Sequence, residues 1–296
     1  MPDFDHFLSS SIQHTRLDQT VESDILNFRL FGNKKGFLHL KNLPIGTVPP
    51  TPSDRAGLNK QCTISEQIIL RATAMLGDPI GYIQESDGAI INNFFPHKNH
   101  SKLASSDSYD CELELHTENA FHAVSPDYLV LFCLRQDPGA EAATFISSID
   151  GIRDILPPQD LAYFHEEKYN FLSDYCDTEK NCRIDINQKQ TVLYGDPESP
   201  FFRFDPQFMV SRSKEAQEKL ETLRKAAWEV AHPVRLSAGD LLIIDNRKTA
   251  HARSAFSASL DGNDRWIQRT FAVAGYRYYA QRLGKNTRVL DLVTTL

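Results

Sequence analysis

The segment Glu112-Leu113-Glu114-Leu115-His116 alternates polar and apolar residues, and a period of two predicts a strand with one polar and one apolar face. Residues 127–135 are near-continuously apolar, which predicts a strand buried on both sides. Residues 241–244, Leu-Leu-Ile-Ile, repeat that signature after a hairpin-type turn at Gly239-Asp240. Further strands are predicted over 36–40, over 142–149 after the Pro138-Gly139 turn, over 234–236, and finally over 266–279. Three segments carry helical spacing instead. Thr63-Ile64-Ser65-Glu66 has the form of a capping box. The helix it opens, with Ile68, Ile69, Ala72 and Leu76 at helical spacing, is expected to stop at Gly77, before Pro79. Residues 158–168 read as a second helix. The strongest is 213–231, where Leu220, Leu223 and Ala227 fall at i, i+3 and i+7 among charges. Residues 170–206 alternate short strand-like runs with turns.

Many strands, few long helices and no strand–helix–strand alternation predict a mainly β protein with flanking helices, built as a sandwich or jelly roll. No repeat, low-complexity segment or linker divides the chain. Residues 1–296 are therefore expected to form a single domain, with a mixed α/β part over about 1–80 packed on the β core. A hydrophobic content of 41% is enough for a sizeable core. The net charge of −7 leaves no basic face to offset phosphate repulsion, so neither nucleic acid nor an anionic membrane is an expected partner. That charge suits a cationic small molecule.

Five cysteines without paired spacing argue against structural zinc and against a disulfide framework. Cys133 lies in an apolar run and reads as a buried thiol. Cys176 and Cys182 are close enough to pair across a loop, but two reduced thiols are the simpler expectation. The opening Met1-Pro2-Asp3-Phe4-Asp5-His6 is acidic and has no apolar core for export. No apolar stretch approaches a membrane span. A cytoplasmic location is expected.

The alternating strand ends in His116-Thr117-Glu118. On a strand, residues i and i+2 leave the same face, so the imidazole and the carboxylate point together. Such a tripeptide arises often by chance, and alone it reads as a half-buried histidine beside a surface glutamate. Its context changes that reading. The motif ends a strand and precedes the turn-to-strand segment Ser125-Pro126-Asp127-Tyr128, and His251 follows the apolar strand 241–244 far downstream. Two imidazole nitrogens and one carboxylate oxygen make the facial triad of a non-haem Fe(II) oxygenase, with three positions left for co-substrate and O2. His122, four residues past Glu118, is the nearest rival and a lesser candidate for the pocket wall.

Arg265 follows an Asp261-Gly262 turn and opens Arg265-Trp266-Ile267-Gln268-Arg269. Arg265, Ile267 and Arg269 then share one strand face. Two inward arginines are costly without anions. Two carboxylates would resolve this, one from an oxo-acid at Arg265 and one from an amino acid at Arg269, because the guanidinium fork binds a carboxylate through two parallel hydrogen bonds. An exposed edge strand accounts for one such arginine more readily than for two.

Taken together, His116-Thr117-Glu118-Asn119-Ala120-Phe121-His122, residues 128–135, residues 239–247 and residues 261–269 resemble the clavaminate synthase-like branch of the Fe(II)/2-oxoglutarate oxygenases. This branch includes hydroxylases of free L-arginine, L-asparagine, L-lysine and citrulline. The resemblance spans roughly residues 75–280. It implies a double-stranded β-helix, the cupin-like jelly roll. It also implies Fe(II) held by His116, Glu118 and His251, and 2-oxoglutarate held by Arg265 and Thr144. For the substrate it implies Arg269 at the carboxylate and Gln84 and Ser106 at the α-amino and α-carboxylate groups, with neighbouring Glu85 or Asp107 as alternatives. Asp205 and Asp196 fall on a lid-like segment facing the substrate, and the short chain leaves the extent of that lid open. The implied reaction hydroxylates an unactivated C–H with release of succinate and CO2, and needs no side chain as a general base.

The expected function is thus hydroxylation of a free L-amino acid. The acids Asp196, Asp205 and Glu85 favour a basic one, lysine or arginine, since a buried cation needs a carboxylate partner. Two alternatives stand beside it. The same chemistry could end in desaturation or cyclisation, which depends on small differences in substrate position. A non-catalytic β-barrel that binds a small ligand would be expected to lack part of the metal set or the oxo-acid arginine, and here both are present.

Overall fold

A computed structural model describes residues 4–99, 101, 108–122, 124–166, 168–173, 176–177, 182–183, 189–282 and 287–292. Two helices come first, α1 (Phe4–His14) and α2 (Gln19–Phe31). Strand β1 (Phe37–Leu40) and helix α3 (Ile64–Leu76) follow. The next strands are β2 (Asp78–Tyr82), β3 (Asn92–Phe94), β4 (Leu113–His116), β5 (Tyr128–Arg135) and β6 (Thr144–Ser148). Helices α4 (Ile149–Arg153) and α5 (Pro158–Glu166) lead into short strands. These are β7 (Lys168–Phe171), β8 (Cys176–Asp177), β9 (Cys182–Arg183), β10 (Lys189–Thr191), β11 (Leu193–Tyr194), β12 (Phe201–Phe202) and β13 (Met209–Val210). Helix α6 (Lys214–Glu229) is capped by Ser213, whose hydroxyl accepts from the Ala216 amide. The chain closes with β14 (His232–Val234), β15 (Leu241–Asp245), β16 (Thr249–Arg253), β17 (Trp266–Val273), α7 (Tyr276–Arg282) and β18 (Val289–Leu290).

Two sheets dominate. The larger runs β1-β15-β5-β17-β2-β18, with β3 also on β17; the smaller runs β14-β6-β16-β4. Every pairing in them is antiparallel except β18 on β2. The chain alternates between the sheets, from β4 to β5 to β6, and again from β14 to β15, β16 and β17.

Side-chain parity fixes what each face does. Leu129 and Cys133 of β5, Leu242 and Ile244 of β15, and Ile267 and Phe271 of β17 share a core with Leu115, Ile146 and Ala250 of the smaller sheet. Their neighbours Val130, Phe132, Ile243, Trp266 and Ala272 face the other way, against Ile25, Phe28, Ile68 and Ile69 of α2 and α3. A strand buried on both faces must be apolar throughout, which is why residues 128–134 and 241–244 show no alternation. The same parity sends Arg265, Ile267 and Arg269 toward the inner core.

Several expectations need correction. Thr63 does begin α3, but its side chain makes no cap hydrogen bond. Glu66 instead accepts from Lys60, Ser65 and the buried Gln268 amide (2.7 Å to the last), so a tertiary network takes the carboxylate from the cap. Gly239-Asp240 is not a hairpin, because the strands on either side belong to different sheets. Gly239 sits at φ +89°, and a Cβ there would meet the Leu43 carbonyl at 2.9 Å. Likewise the 261–262 turn carries the chain from the smaller sheet to the larger, not back along one sheet. The segment predicted as strand over 234–236 pairs instead over His232–Val234. The last long strand ends at Val273, and α7 follows Gly275. Cys176 and Cys182 lie on β8 and β9, and their side chains fall outside what is described. No helix of the described residues is long and apolar enough to cross a membrane.

Candidate metal centre

Strand β16 lies between β6 and β4, and this places His251 opposite His116. The two rings stand 4.4 Å apart, centroid to centroid. Glu118 Oε2 lies 3.5 Å from His251 Nε2 and 4.0 Å from His116 Nε2. Among the described residues, His116, Glu118 and His251 are the group of His, Cys, Asp or Glu that could hold a metal, with ligand atoms all within 4.8 Å of one another.

Local contacts explain why Glu118 points there. Thr117, between the two ligands, faces away: its amide donates to Phe204 O at 2.6 Å, and its hydroxyl accepts from the Phe204 amide at 3.1 Å. The Glu118 amide donates to Asn246 Oδ1 at 2.9 Å, and Asn246 Nδ2 donates to Glu118 O at 3.2 Å and to Pro126 O at 2.8 Å. Ser125 adds a hydroxyl to the same Glu118 carbonyl at 2.8 Å. Asn246 therefore clamps the turn that begins at Glu118. His116 Nδ1 donates to Glu114 O at 2.8 Å, since a carbonyl can only accept. That bond leaves Nε2 as the nitrogen facing Glu118.

Electrostatics leaves His251 and Glu118 deprotonated. Burial, helped by His116, pushes His251 down to about 4, so its imidazole is neutral near pH 7. Burial pushes the Glu118 carboxyl up, but Arg269 and the two histidines outweigh it and hold it at about 2. Two imidazoles and a carboxylate, converging on one point, fit a divalent cation with open positions.

The centre opens into a cavity of 560 Å³ between the sheets. From the smaller sheet it is lined by Thr144, Ala252 and Arg253; from the larger by Leu129, Leu131, Ile267 and Arg269, with Arg265 just before β17. Among the described residues no carboxylate pairs with Arg265, whose guanidinium lies 5.6 Å from the Phe256 ring. Burial lowers its pKa. Thr144 is buried, and its register partner on β16 is Arg253. Arg269 is differently placed. It ion-pairs with Glu85 and, at 3.3 Å, with Glu118, and it lies between Phe94 and Phe271 at 4.6 and 4.4 Å.

The remaining candidates divide. Asp205 lines the cavity. Gln84 lines it as well, but its side-chain amide is engaged at the C-terminal strand, donating to Asp291 at 2.7 Å and accepting from the Leu292 amide at 3.0 Å. The buried neighbour Glu85 is the one that reaches Arg269, and it accepts from Asn119 Nδ2 at 3.2 Å. The structure does not bring Asp196 to the cavity. It is exposed, and its carboxylate accepts from the Glu198 amide in a turn. Ser106 and Asp107 lie outside the described residues. His122 is buried beside Tyr82 and Phe121 and accepts from the Val124 amide, so it belongs to the turn and not to the cavity wall. Sequence reasoning did not assign Asn246 or Glu114; they were visible only as a polar residue after an apolar strand and a polar position within an alternating one.

The family model of the taurine catabolism dioxygenase TauD, TfdA family matches residues 29–271. Clavaminate synthase 2 of Streptomyces clavuligerus is 30% identical over 264 residues, which cover 86% of this chain and 79% of that protein. The solved structure of asparagine oxygenase with Fe(II), 2S,3S-3-hydroxyasparagine and succinate superposes with a TM-score of 0.85 at 26% identity, covering 98% of this chain and 91% of that one. The non-heme iron oxygenase OrfP, solved with Fe, succinate and (3R,4R)-dihydroxy-L-Arg, gives a TM-score of 0.85 at 26% identity over 96% and 90% of the two chains.

Proposed function

Because this chain belongs to the TauD/TfdA family of dioxygenases, we propose that it is an Fe(II)- and 2-oxoglutarate-dependent hydroxylase of a free L-amino acid, and that the amino acid is a basic one, lysine or arginine. The observation that carries this reading is the convergence of His116, Glu118 and His251 on one wall of a cavity whose opposite wall carries Arg265 and Arg269. The alternation of the chain between two antiparallel sheets supports a double-stranded β-helix core. The α1–α3 layer packed on the larger sheet supports one oxygenase domain over 1–296. The protein is expected to work in the cytoplasm.

His116, Glu118 and His251 would hold the metal. Fe(II), bound with 2-oxoglutarate and O2, supplies the oxidation of an unactivated C–H bond, with succinate and CO2 as co-products. Arg265 and Thr144 would receive the far carboxylate of 2-oxoglutarate, and a half-buried guanidinium with no carboxylate partner among the described residues is suited to that role. Arg269 would take the α-carboxylate of the amino acid, and Glu85, now paired with it, would turn to the α-ammonium. Asp205, on the cavity wall, would face the side-chain cation. No group in this scheme acts as a general base; the residues fix one C–H bond in place and exclude water.

The test is succinate release from purified protein with Fe(II), ascorbate and 2-oxoglutarate, screened over the twenty common L-amino acids, ornithine and citrulline. Lysine or arginine should gain one oxygen. A product short of two hydrogens would replace hydroxylation by desaturation. His251→Ala should bind no Fe(II) and release no succinate while keeping its fold by circular dichroism. Full activity in that variant would overturn the metal assignment.

A further inference from the structure

We propose that Glu114 is a positioning residue for His116, holding open a bulge in β4 that aims the imidazole. This rests on reading His116 as a metal ligand. Among the described residues, strand β4 is the edge of the smaller sheet and β16 is its one strand neighbour there. Their register breaks beside the ligands: His251 pairs with His116 and Arg253 with Leu113, so Glu114 and Leu115 together oppose Ala252. Two residues against one make a bulge, which leaves a residue outside the ladder and re-aims a side chain.

A bulge on buried backbone needs substitute hydrogen bonds. Leu115 is fully buried, and its amide donates to the carboxylate of its own neighbour, Glu114 Oε1, at 2.9 Å. The Glu114 carbonyl accepts from His116 Nδ1 at 2.8 Å. One residue thus secures the peptide on its C-terminal side and fixes the tautomer of the ligand two places on. Helix α6 holds that residue in turn. Trp228 Nε1 donates to Oε1 at 2.5 Å, and Arg224 donates to Oε2 through Nε at 2.9 Å and Nη2 at 2.6 Å. The helix already docks through buried Ala216, Leu223, Ala226 and Ala227. Its attachment does not need a charged link, and what the link adds is three donors fixing one carboxylate at the bulge.

Strain or loss at Glu114 would therefore reach the metal through the His116 ring while leaving Glu118 and His251 in place. The experiment is titration of the full chain with Co(II), followed by its d–d absorption, alongside urea unfolding of the metal-free protein. Glu114→Ala should weaken Co(II) binding by about 10- to 100-fold, the usual cost of losing a group that orients a metal ligand. Arg224→Leu keeps the Leu115 and Trp228 bonds, so it should lower the unfolding midpoint and leave Co(II) affinity within about threefold of wild type. An Ala variant that loses stability and binds Co(II) as wild type does would reduce Glu114 to a strut and overturn the proposal.

If Glu114→Ala does not fold, Glu114→Gln with Arg224→Leu decides the matter. The glutamine oxygen can still accept, and its NH2 no longer meets guanidinium donors. Affinity within about threefold of wild type supports the bulge role; a loss as large as for Glu114→Gln alone overturns it. Wild-type protein that takes up no Co(II) would overturn the metal centre itself, and this inference with it.

Discussion

Asn246 grips the peptide of Glu118 from both sides, accepting from its amide at 2.9 Å and donating to its carbonyl at 3.2 Å. The contact spans 128 residues of sequence and ties the end of β15 to the turn after β4. Asn246→Leu would take the partner from the Glu118 amide and from the Pro126 carbonyl, while the Glu118 carbonyl keeps Ser125. At about 1–3 kcal/mol for each group left unsatisfied, the metal-free protein should lose about 2–6 kcal/mol, read by urea unfolding. A loss below about 1 kcal/mol would mean that other donors take over the turn.

Arg265 and Arg269 share a face, but their surroundings differ, and so should their variants. Arg265→Leu removes a half-buried cation to which no described carboxylate is paired, so the fold should tolerate it. Binding of 2-oxoglutarate should weaken by about 2–4 kcal/mol, roughly 30- to 700-fold, with metal affinity unchanged. Calorimetric titration of the Co(II)-loaded protein with 2-oxoglutarate checks this, and an unchanged Kd would move the oxo-acid elsewhere.

Arg269→Leu, by contrast, strands two buried carboxylates. The pair with Glu85 is nearly closed to solvent, with side-chain exposures of 8% and 6%, so removing the cation should cost about 3–5 kcal/mol. Glu85→Gln added to that variant should restore part of the loss, by about 1–3 kcal/mol of coupling, because it neutralises one stranded charge. Strict additivity of the two changes in urea unfolding would argue against the pair. In kinetics, Arg269→Leu should chiefly raise KM for the amino acid.

Two thiols are shifted in opposite directions. Backbone amides of Ile64 and Thr47 hold the Cys62 thiol below its ordinary value, while burial pushes Cys133 up to about 12. A lowered pKa favours the thiolate, which is the nucleophile. Iodoacetamide at pH 7.5 to 8.5, about the range just below an ordinary thiol pKa, should therefore label Cys62 first and leave Cys133 untouched until urea unfolds the chain. Peptide mapping of the native protein reads both, and early labelling of Cys133 would contradict its burial.

Much of this was legible from residues alone, for identifiable reasons. Strands β5 and β15 are buried on both faces, so their apolar runs could not be disguised by alternation. His116 and Glu118 were visible because a strand's period of two brings i and i+2 together, and Arg265 and Arg269 because the same period puts two charges on one face. What escaped was tertiary. Glu66 abandons a local cap for Gln268, more than two hundred residues away. The turns at Gly239-Asp240 and at Asp261-Gly262 have hairpin chemistry but connect different sheets, and turn residues do not record which sheet the next strand joins. Gln84 and Glu85 are adjacent and both polar; only the approach of the C-terminal strand to Gln84 decides which one turns inward. Asp196 had the right charge and the wrong place, its carboxylate closing a surface turn.

The cavity has one further property. His116 and His251 stand on one sheet, and Arg269, with Arg265 just before its strand, on the other, so the spacing between these two pairs is set by the apolar residues that keep the sheets apart, among them Ile146, Leu242 and Ile267. The layered core therefore acts as the jaw setting of a calliper. A methylene added or removed there resizes the distance from the two imidazoles to the two guanidinium groups, without touching either. Substrate length and the carbon attacked become, in this architecture, properties of packing as much as of the residues that meet the ligand.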